Sequence, residues 1–342
     1  MLLGIGVLTV GLEAAGYDAP AALSALWHGA FGSWYAFTSA TLVRAVPLTL
    51  IGLGIAIAFR GGAFNIGAEG QFYAGAIAAT WVGLHMAGRP ALIATGLLLL
   101  AAVFAGALWV AVPVWLKLRF GVIEVISTLL LNFVAESLVS LMVLGPLQER
   151  NRIYPQSDAI AEPARLPLLE GTRLHAGFLL ALIAGLILWF LFARTLWGFR
   201  LRAVGMGPRA AEVSGGVDSQ RMGAVALLLS GALAGLAGGV EVSGVSYALF
   251  QNLSSGYGFT GIAVALLGGL HPAGVVVAGI LFGALEAGAG AMQRDAGVPA
   301  VAVYVVEAVI IIVALLVTGP KGGWSGTRII RRGRPQASKA AG

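Results

Sequence analysis

The chain has 342 residues, of which 58% are hydrophobic and 11% are charged, and its mean hydropathy is +0.91. A soluble domain carries roughly 25% charged residues, so the composition excludes a water-soluble protein and predicts an all-α polytopic membrane protein. The net charge of +6 fits the Lys and Arg that collect in cytoplasmic loops of membrane proteins, and we do not interpret it as nucleic-acid binding. Because the chain has no cysteine, disulfides, thiolate metal sites and cysteine nucleophiles are excluded.

Apolar stretches recur along the whole chain, and most are long enough to cross a bilayer. They predict about ten transmembrane helices in one domain over 1–320, followed by a basic tail at 321–342. The first stretch is short and lacks the basic leading region of a signal peptide, so we expect it to be retained. The predicted spans are 1–12, 42–59, 72–88, 91–116, 123–145, 177–193, 223–242, 258–270, 272–292 and 300–317.

The charges of the loops predict which side of the membrane each loop occupies. The segment 194–222 holds five arginines against two acidic residues, and the tail holds six basic residues and no acidic one. The turn with Lys117 and Arg119 is also basic, whereas 146–175 is balanced and carries four prolines. Lys and Arg accumulate on the cytoplasmic side, so we expect both termini in the cytoplasm. The balanced segment is predicted to be an ordered external cap or a partner contact.

A polar, glycine-rich segment lies between the second and third predicted spans. Residues 59–71 read Phe-Arg-Gly-Gly-Ala-Phe-Asn-Ile-Gly-Ala-Glu-Gly-Gln, which is unsuited to a continuous helix facing lipid. Irregular backbone at membrane depth is tolerated only inside protein or along a cavity, and broken helices of this kind bind solutes in transporters. The alternative is a cytoplasmic turn whose polar groups satisfy its own backbone.

A second polar, glycine-rich segment follows in the other half of the chain. Residues 251–261 read Gln-Asn-Leu-Ser-Ser-Gly-Tyr-Gly-Phe-Thr-Gly and lead into a short apolar span. The last six match GxGxxG, but no βαβ pattern surrounds them, so we reject a dinucleotide site. Two such segments, one in each half, are what the discontinuous helices of a transporter with an internal repeat would leave in the sequence.

Six glutamates fall in or beside predicted spans, where ionisable residues are expensive and face the bundle interior. For Glu124, which starts a helix near two basic residues, stabilisation by the helix dipole is a sufficient explanation. The other five are Glu69, Glu136, Glu241, Glu286 and Glu307. Small residues spaced by four predict close helix packing along Gly231, Gly235 and Gly239.

The segment 198–212 has the pattern of a short helix in a basic loop. Pro208 suits the first helical position, with Gly207 before it as the cap. A helix in a cytoplasmic loop is well placed to dock on a soluble protein. An ordinary solvated loop is the alternative.

Four stretches together resemble one family, the permease subunits of bacterial ABC importers for simple sugars, nucleosides and branched-chain amino acids. They are 64–71, 124–133 (Glu-Val-Ile-Ser-Thr-Leu-Leu-Leu-Asn-Phe), 202–211 and 258–269 (Gly-Phe-Thr-Gly-Ile-Ala-Val-Ala-Leu-Leu-Gly-Gly). The resemblance covers roughly 40–320 and is strongest to the nucleoside branch, which is linked to basic membrane proteins. One departure is Gly207, where the family often has Asn.

The resemblance implies a subunit that is not catalytic, binds no cofactor and works in a bacterial inner membrane. Its partners would be a second permease, a cytoplasmic ATP-binding subunit and an external binding lipoprotein or periplasmic binding protein. The chain has no GxxxxGK[ST] phosphate loop, in agreement. The expected ATPase-coupling residues are Arg202, Gly205, Pro208, Arg209, Ala210, Ala211 and Glu212. The expected translocation-path residues are Phe64, Asn65, Glu69, Gln71, Asn132, Gln251, Asn252 and Tyr257.

Two further functions remain open from the sequence. A branched-chain amino acid permease belongs to the same class, whereas an ion-coupled secondary transporter would use Glu69 or Glu286 as its proton or cation site. A membrane-embedded enzyme has little support, because the chain has no HExxH motif and its four histidines are isolated.

Overall fold

The computed structural model describes residues 2–14 and 16–299, and also 305 and 308. Within them the chain is helical, and its only β pairings are two isolated bridges. The helices are α1 Leu2–Ala14, α2 Ala19–Phe31, α3 Trp34–Arg60, α4 Ala68–Leu84, α5 Ala91–Phe120, α6 Glu124–Val143, α7 Gly177–Arg194, α8 Leu196–Met206, α9 Pro208–Gly215, α10 Ser219–Ser246, α11 Tyr257–Leu267 and α12 Pro272–Asp295.

Six helices are long and apolar enough to cross a membrane, namely α3, α5, α6, α7, α10 and α12. Three more predicted spans correspond to shorter helices of 13, 17 and 11 residues, which are α1, α4 and α11. The tenth predicted span at 300–317, Glu307 and the tail at 321–342 lie outside the described residues. The all-α class is therefore confirmed, with six candidate spans in the described part of the chain.

One helix had no counterpart among the predicted spans. Asp18 caps the start of α2 by accepting a hydrogen bond from the backbone N–H of Ala21 at 3.0 Å, and Pro20 lies in the first turn. Four of its alanines are buried, and α2 packs along α12. With 13 residues α2 is about 20 Å long, too short to cross the hydrocarbon core of a bilayer, so its sequence does not have the pattern of a membrane span.

The long helices differ in how much of their surface the chain itself covers. In α3 83% of the apolar window is buried, whereas the value is 28% in both α6 and α7. Helix α3 is therefore the centre of the bundle, and α6 and α7 lie at its edge. Their uncovered apolar side chains face lipid or another protein, since a membrane protein hides them from water.

Close contact between α5 and α10 depends on the absence of side chains. A Cβ on Gly235 would overlap the backbone carbonyl of Ala102, and one on Gly231 would lie 2.7 Å from the carbonyl oxygen of Gly106. A Cβ on Gly239 would lie 2.5 Å from the Cβ of Ala102. The three glycines thus lie on one contact face, the arrangement that small residues spaced by four give in membranes.

The segment 146–175 runs across the end of α10 and the connection that follows it. The backbone N–H groups of Ser157, Ile160 and Leu166 each donate to carbonyls of that region, those of Leu249, Tyr247 and Ser243, at 2.8 Å. Ile160 is buried, and the guanidinium of Arg165 stacks 4.8 Å from the ring centre of Tyr247. The segment is therefore an ordered cap on the bundle.

The cap ends in a buried histidine. His175 is 2% exposed, and its Nδ1 lies 3.2 Å from the backbone nitrogen of Gly177, at the start of α7. Burial lowers the pKa of His175 to about 4, because the apolar surroundings disfavour the charged imidazolium. The ring is therefore neutral at physiological pH.

Candidate functional site

The polar segment between α3 and α4 is held by one asparagine at its centre. Asn65 is completely buried, and its Nδ2 donates to Gln71 Oε1 at 2.8 Å and to Ser230 Oγ of α10 at 2.9 Å. Its Oδ1 accepts from the backbone N–H of Gly67 and from Gln71 Nε2, both at 2.9 Å. Every hydrogen-bonding position of this side chain is thus used inside the protein.

Helix α6 fixes the same segment from the other side. Asn132, which is 2% exposed, donates to the carbonyl of Ile66 and accepts from the backbone N–H of Gly70, both at 2.9 Å. At the start of α6, Glu124 pairs with Lys117 at 2.8 Å. The irregular backbone at 61–67 is therefore held by contacts within the protein, with Asn65 and Gly67 buried and only Gly62 and Phe64 exposed within it.

The two polar, glycine-rich segments meet at the beginnings of α4 and α11. The carboxylate of Glu69 accepts a hydrogen bond from the backbone N–H of Gly258 at 2.6 Å, and Glu69 is only 2% exposed. A Cβ on Gly258 would overlap the backbone of Glu69, so only glycine allows this approach. Ser254 accepts from the N–H of Tyr257 at 3.0 Å. A carboxylate at a helix N-terminus is stabilising, which gives Glu69 a structural role.

A polar cavity of about 260 Å³ lies beside this junction, between α4, α6 and the connection from α10 to α11. Polar groups dominate its wall, and Val139 is its aliphatic residue. Asn252 adopts a left-handed backbone with φ of 58°, which asparagine tolerates better than most residues. The polar lining consists of Tyr73, Glu136, Ser137, Ser140, Gln251 and Asn252.

The predicted path residues divide into two groups in the structure. Gln251 and Asn252 line the cavity. The others lie elsewhere: Asn65, Gln71 and Asn132 form the buried network, and Glu69 caps α11. Tyr257 is buried with its ring 5.9 Å from that of Phe72, and the half-exposed Phe64 packs on Phe59 with ring centres 5.1 Å apart.

Four polar residues of the cavity wall were not among the predicted path residues. Glu136, Ser137 and Ser140 occupy positions i, i+1 and i+4 of α6, which places them on one side of the helix. Polar residues at that spacing in an apolar span could have indicated a polar surface on this helix. Tyr73 gave no signal, because a tyrosine in an apolar helix is ordinary packing.

Helix α8 ties the basic loop to the ends of α3 and α7. A Cβ on Gly205 would overlap the carbonyl oxygen of Arg60, so the two backbones touch there. Arg202 donates to the carbonyl of Phe192 at 2.5 Å, and the guanidinium of Arg60 stacks 4.7 Å from the ring centre of Phe192. Leu201 is completely buried at the same junction. A displacement of α8 therefore acts directly on the end of α3.

The short helix α9 begins at Pro208, with Gly207 as its cap and no side-chain hydrogen bond at that position. Arg209, Ala210 and Glu212 are exposed, and Glu212 accepts a hydrogen bond from the hydroxyl of Ser219. Ala211 is the buried residue of this helix, at 8% exposed. Two apolar side chains extend into solvent instead, Met206 at 85% and Val213 at 89% exposed.

No cluster of three or more His, Asp or Glu side chains suited to a metal ion occurs within the residues described. The arrangement consists instead of a packed junction of two broken segments, a polar cavity beside it and a protruding helix at one end. Long apolar helices built around such a junction define a multi-pass membrane transport protein.

Comparison with known proteins narrows this class. Residues 37–315 match the family described as the permease component of branched-chain amino acid transport systems. The chain belongs to this family of membrane permeases of ABC importers. No solved structure matches the chain.

Three relatives illustrate the family. The guanosine ABC transporter permease NupP of Bacillus subtilis is 39% identical over 91% of this chain and 90% of its own length. The glucose ABC transporter permease TsgB13 of Haloferax volcanii is 35% identical over 100% of this chain and 92% of its own. A second guanosine permease of Bacillus subtilis, NupQ, is 31% identical over 71% of this chain and 78% of its own.

Proposed function

We propose that the chain is a permease subunit for ATP-driven uptake of nucleosides or related sugar-containing solutes. The observation that carries this proposal is its similarity, over nearly its whole length, to permeases named for guanosine and glucose. Those solutes share a sugar ring with neighbouring hydroxyl groups. The polar cavity beside the helix junction supports the same class, because its wall offers hydrogen-bonding groups and few apolar ones.

A second permease completes the conduit in this proposal. Glu136 and Ser137 are exposed on α6, a helix long and apolar enough to span the membrane. A carboxylate there would be expensive in lipid, so a partner or an aqueous path must cover it. Bacillus subtilis has two guanosine permeases similar to this chain, which favours a homologous partner. The ten crossings and the cytoplasmic placement of both termini remain part of the same proposal.

The loop 194–222 would then transmit the conformational change of an ATP-binding subunit to the transmembrane domain at 1–320. The exposed face of α9, with Arg209, Ala210 and Val213, is the docking surface we propose for a separate ATP-binding subunit. Movement of that surface would pass through α8 to the end of α3 and so to the polar segment at 64–71. The chain itself would be non-catalytic, with ATP hydrolysis in the partner.

On the opposite side we place the cap at 146–175, facing an external binding lipoprotein or periplasmic binding protein. The backbone of the cap is hydrogen-bonded to residues 243–249, which lead into the connection between α10 and α11. Solute released at the cap would therefore be close to Gln251 and Asn252 in the cavity wall. The proposed location is the bacterial cytoplasmic membrane. This arrangement puts the cap and α9 at opposite ends of one path.

Uptake of tritiated guanosine by cells that depend on this chain tests the proposal. Uptake should survive a protonophore and stop when the partner ATPase is inactivated. Unlabelled nucleosides should compete, and leucine should not. Loss of uptake with the protonophore alone would favour an ion-coupled carrier, and competition by leucine alone would favour the branched-chain amino acid function.

A further inference from the structure

The polar side of α6 presents a carboxylate that no cation of the described chain neutralises. None of the ion pairs formed within the described residues includes Glu136. Glu136 lies twelve residues after Glu124, about 18 Å along a helix that rises 1.5 Å per residue. It therefore lies well inside the span, where an ionisable side chain marks a solute or ion path.

The two serine hydroxyls on the same side of α6 as this carboxylate can act only as hydrogen-bond acceptors toward the cavity. The hydroxyl of Ser137 donates to the carbonyl of Phe133 at 2.8 Å, and that of Ser140 donates to the carbonyl of Glu136 at 3.2 Å. With their protons used on the helix, both oxygens have only lone pairs to offer the cavity. Two carboxylate oxygens and two hydroxyl oxygens thus create a site that needs donors from its occupant.

A neutral solute with several hydrogen-bond donors fits these acceptor groups better than an anion or an aliphatic amino acid does. A phosphate or carboxylate would be repelled by Glu136, and the cavity wall contains no Lys, Arg or His to bind it. An aliphatic amino acid would find one aliphatic lining residue, Val139, and no partner for its carboxylate. Two neighbouring hydroxyls of a sugar ring can each donate to one carboxylate oxygen, and the amides of Gln251 and Asn252 can donate or accept nearby.

We propose that Glu136 binds the neighbouring hydroxyl groups of a neutral sugar-containing solute, with Ser137, Ser140, Gln251 and Asn252 completing the subsite. This inference rests on the proposed uptake of such solutes and adds the group that recognises them. It also assigns the site a selection against anionic solutes such as nucleotides. Glu136 is a binding residue here and takes part in no bond-making step.

The test compares guanosine with 2′,3′-dideoxyguanosine, which lacks the ribose hydroxyl pair. Uptake is measured in the assembled complex with each labelled solute presented on saturating binding protein, for the wild type, Glu136→Ala and Glu136→Gln. Glu13→Gln in α1 removes one carboxylate away from the cavity and is the matched control. Co-purification of the partner subunits verifies assembly of every variant.

A hydrogen bond to a charged group is worth enough that Glu136→Ala should lower the ratio of guanosine to dideoxyguanosine uptake about tenfold or more. Glu136→Gln keeps the shape and one acceptor oxygen, so its ratio should be intermediate, and Glu13→Gln should match the wild type. All variants receive solute from the same binding protein. Any preference of that protein for guanosine over dideoxyguanosine therefore affects every uptake ratio equally and does not change the comparison between variants.

Two results would overturn the inference while leaving the proposed function in place. One is an unchanged ratio in Glu136→Ala with normal uptake of both solutes. The other is an equal fall for both solutes in Glu136→Ala and Glu136→Gln, which would assign Glu136 a structural role. If the wild-type complex moved neither labelled guanosine nor labelled glucose, the proposed function itself would be wrong.

Discussion

Replacement of Asn65 by leucine tests whether the polar segment is a structural junction or a contact surface for solute. Leucine has a similar size but removes all four side-chain hydrogen bonds of Asn65. It leaves the Gly67 N–H, the Gln71 amide and the Ser230 hydroxyl buried without that partner. Orphaned buried groups cost about 1–3 kcal/mol each, and hydrogen bonds measured within membranes average about 0.6 kcal/mol. Three groups therefore give a loss of roughly 2–9 kcal/mol.

Thermal unfolding of the purified complex in detergent measures this loss. For domains of 150–250 residues each kcal/mol shifts the midpoint by about 2–4 °C, and for a longer chain such as this one by less, so we expect a fall of about 2 °C or more. Thr80→Val is the control, because Thr80 is equally buried but bonds only the carbonyl of Ala76 in its own helix. A variant with wild-type stability and abolished uptake would refute the structural interpretation and make Asn65 a path residue.

Three further predictions concern the junction, the docking surface and the cap. Gly258→Ala should destabilise the complex, because the added methyl overlaps the backbone of Glu69; an unchanged unfolding midpoint would show that the two helix starts are not in contact. Val213→Arg should reduce co-purification of the ATP-binding subunit without loss of membrane insertion, since Val213 is exposed, and normal recovery would move the docking surface elsewhere. The pKa of His175 is about 4 in the folded protein, against 6.5 for an ordinary histidine, so its contribution to stability should be complete above pH 6.5 and should be lost as the pH falls toward 4. His175→Gln should reduce this loss, which unfolding midpoints measured at pH 7 and pH 5 would show.

Apolar length was the reliable signal in this sequence. The long spans were predicted because hydrophobic runs of about 20 residues have few other uses. Helix α2 was not predicted, because an alanine-rich sequence of 13 residues is too short for a membrane span. Its position depends on packing against α12, which is distant in sequence. The sequence indicated two broken segments, one in each half of the chain, but it did not predict that they meet, because the contact between Glu69 and Gly258 depends on tertiary geometry.

The cavity was harder to predict than the junction. Polar residues in a membrane span indicate either a satisfied network or a path, and the sequence does not distinguish them. Asn65 and Gln71 turned out to satisfy each other, whereas Glu136, on the edge helix α6, lines the cavity. Whether a side chain finds partners inside its own chain depends on neighbours that are distant in sequence, such as Ser230 for Asn65.

In the proposed function, a separate nucleotide-hydrolysing subunit drives solute through this permease. Proteoliposomes that contain the chain with its partner permease and ATP-binding subunit test it most directly, with labelled guanosine presented on the binding protein. We expect guanosine to accumulate only when ATP reaches the ATP-binding subunit, and we expect no accumulation in vesicles that hold the chain alone. Accumulation of guanosine by the chain alone, without that subunit or ATP, would contradict it.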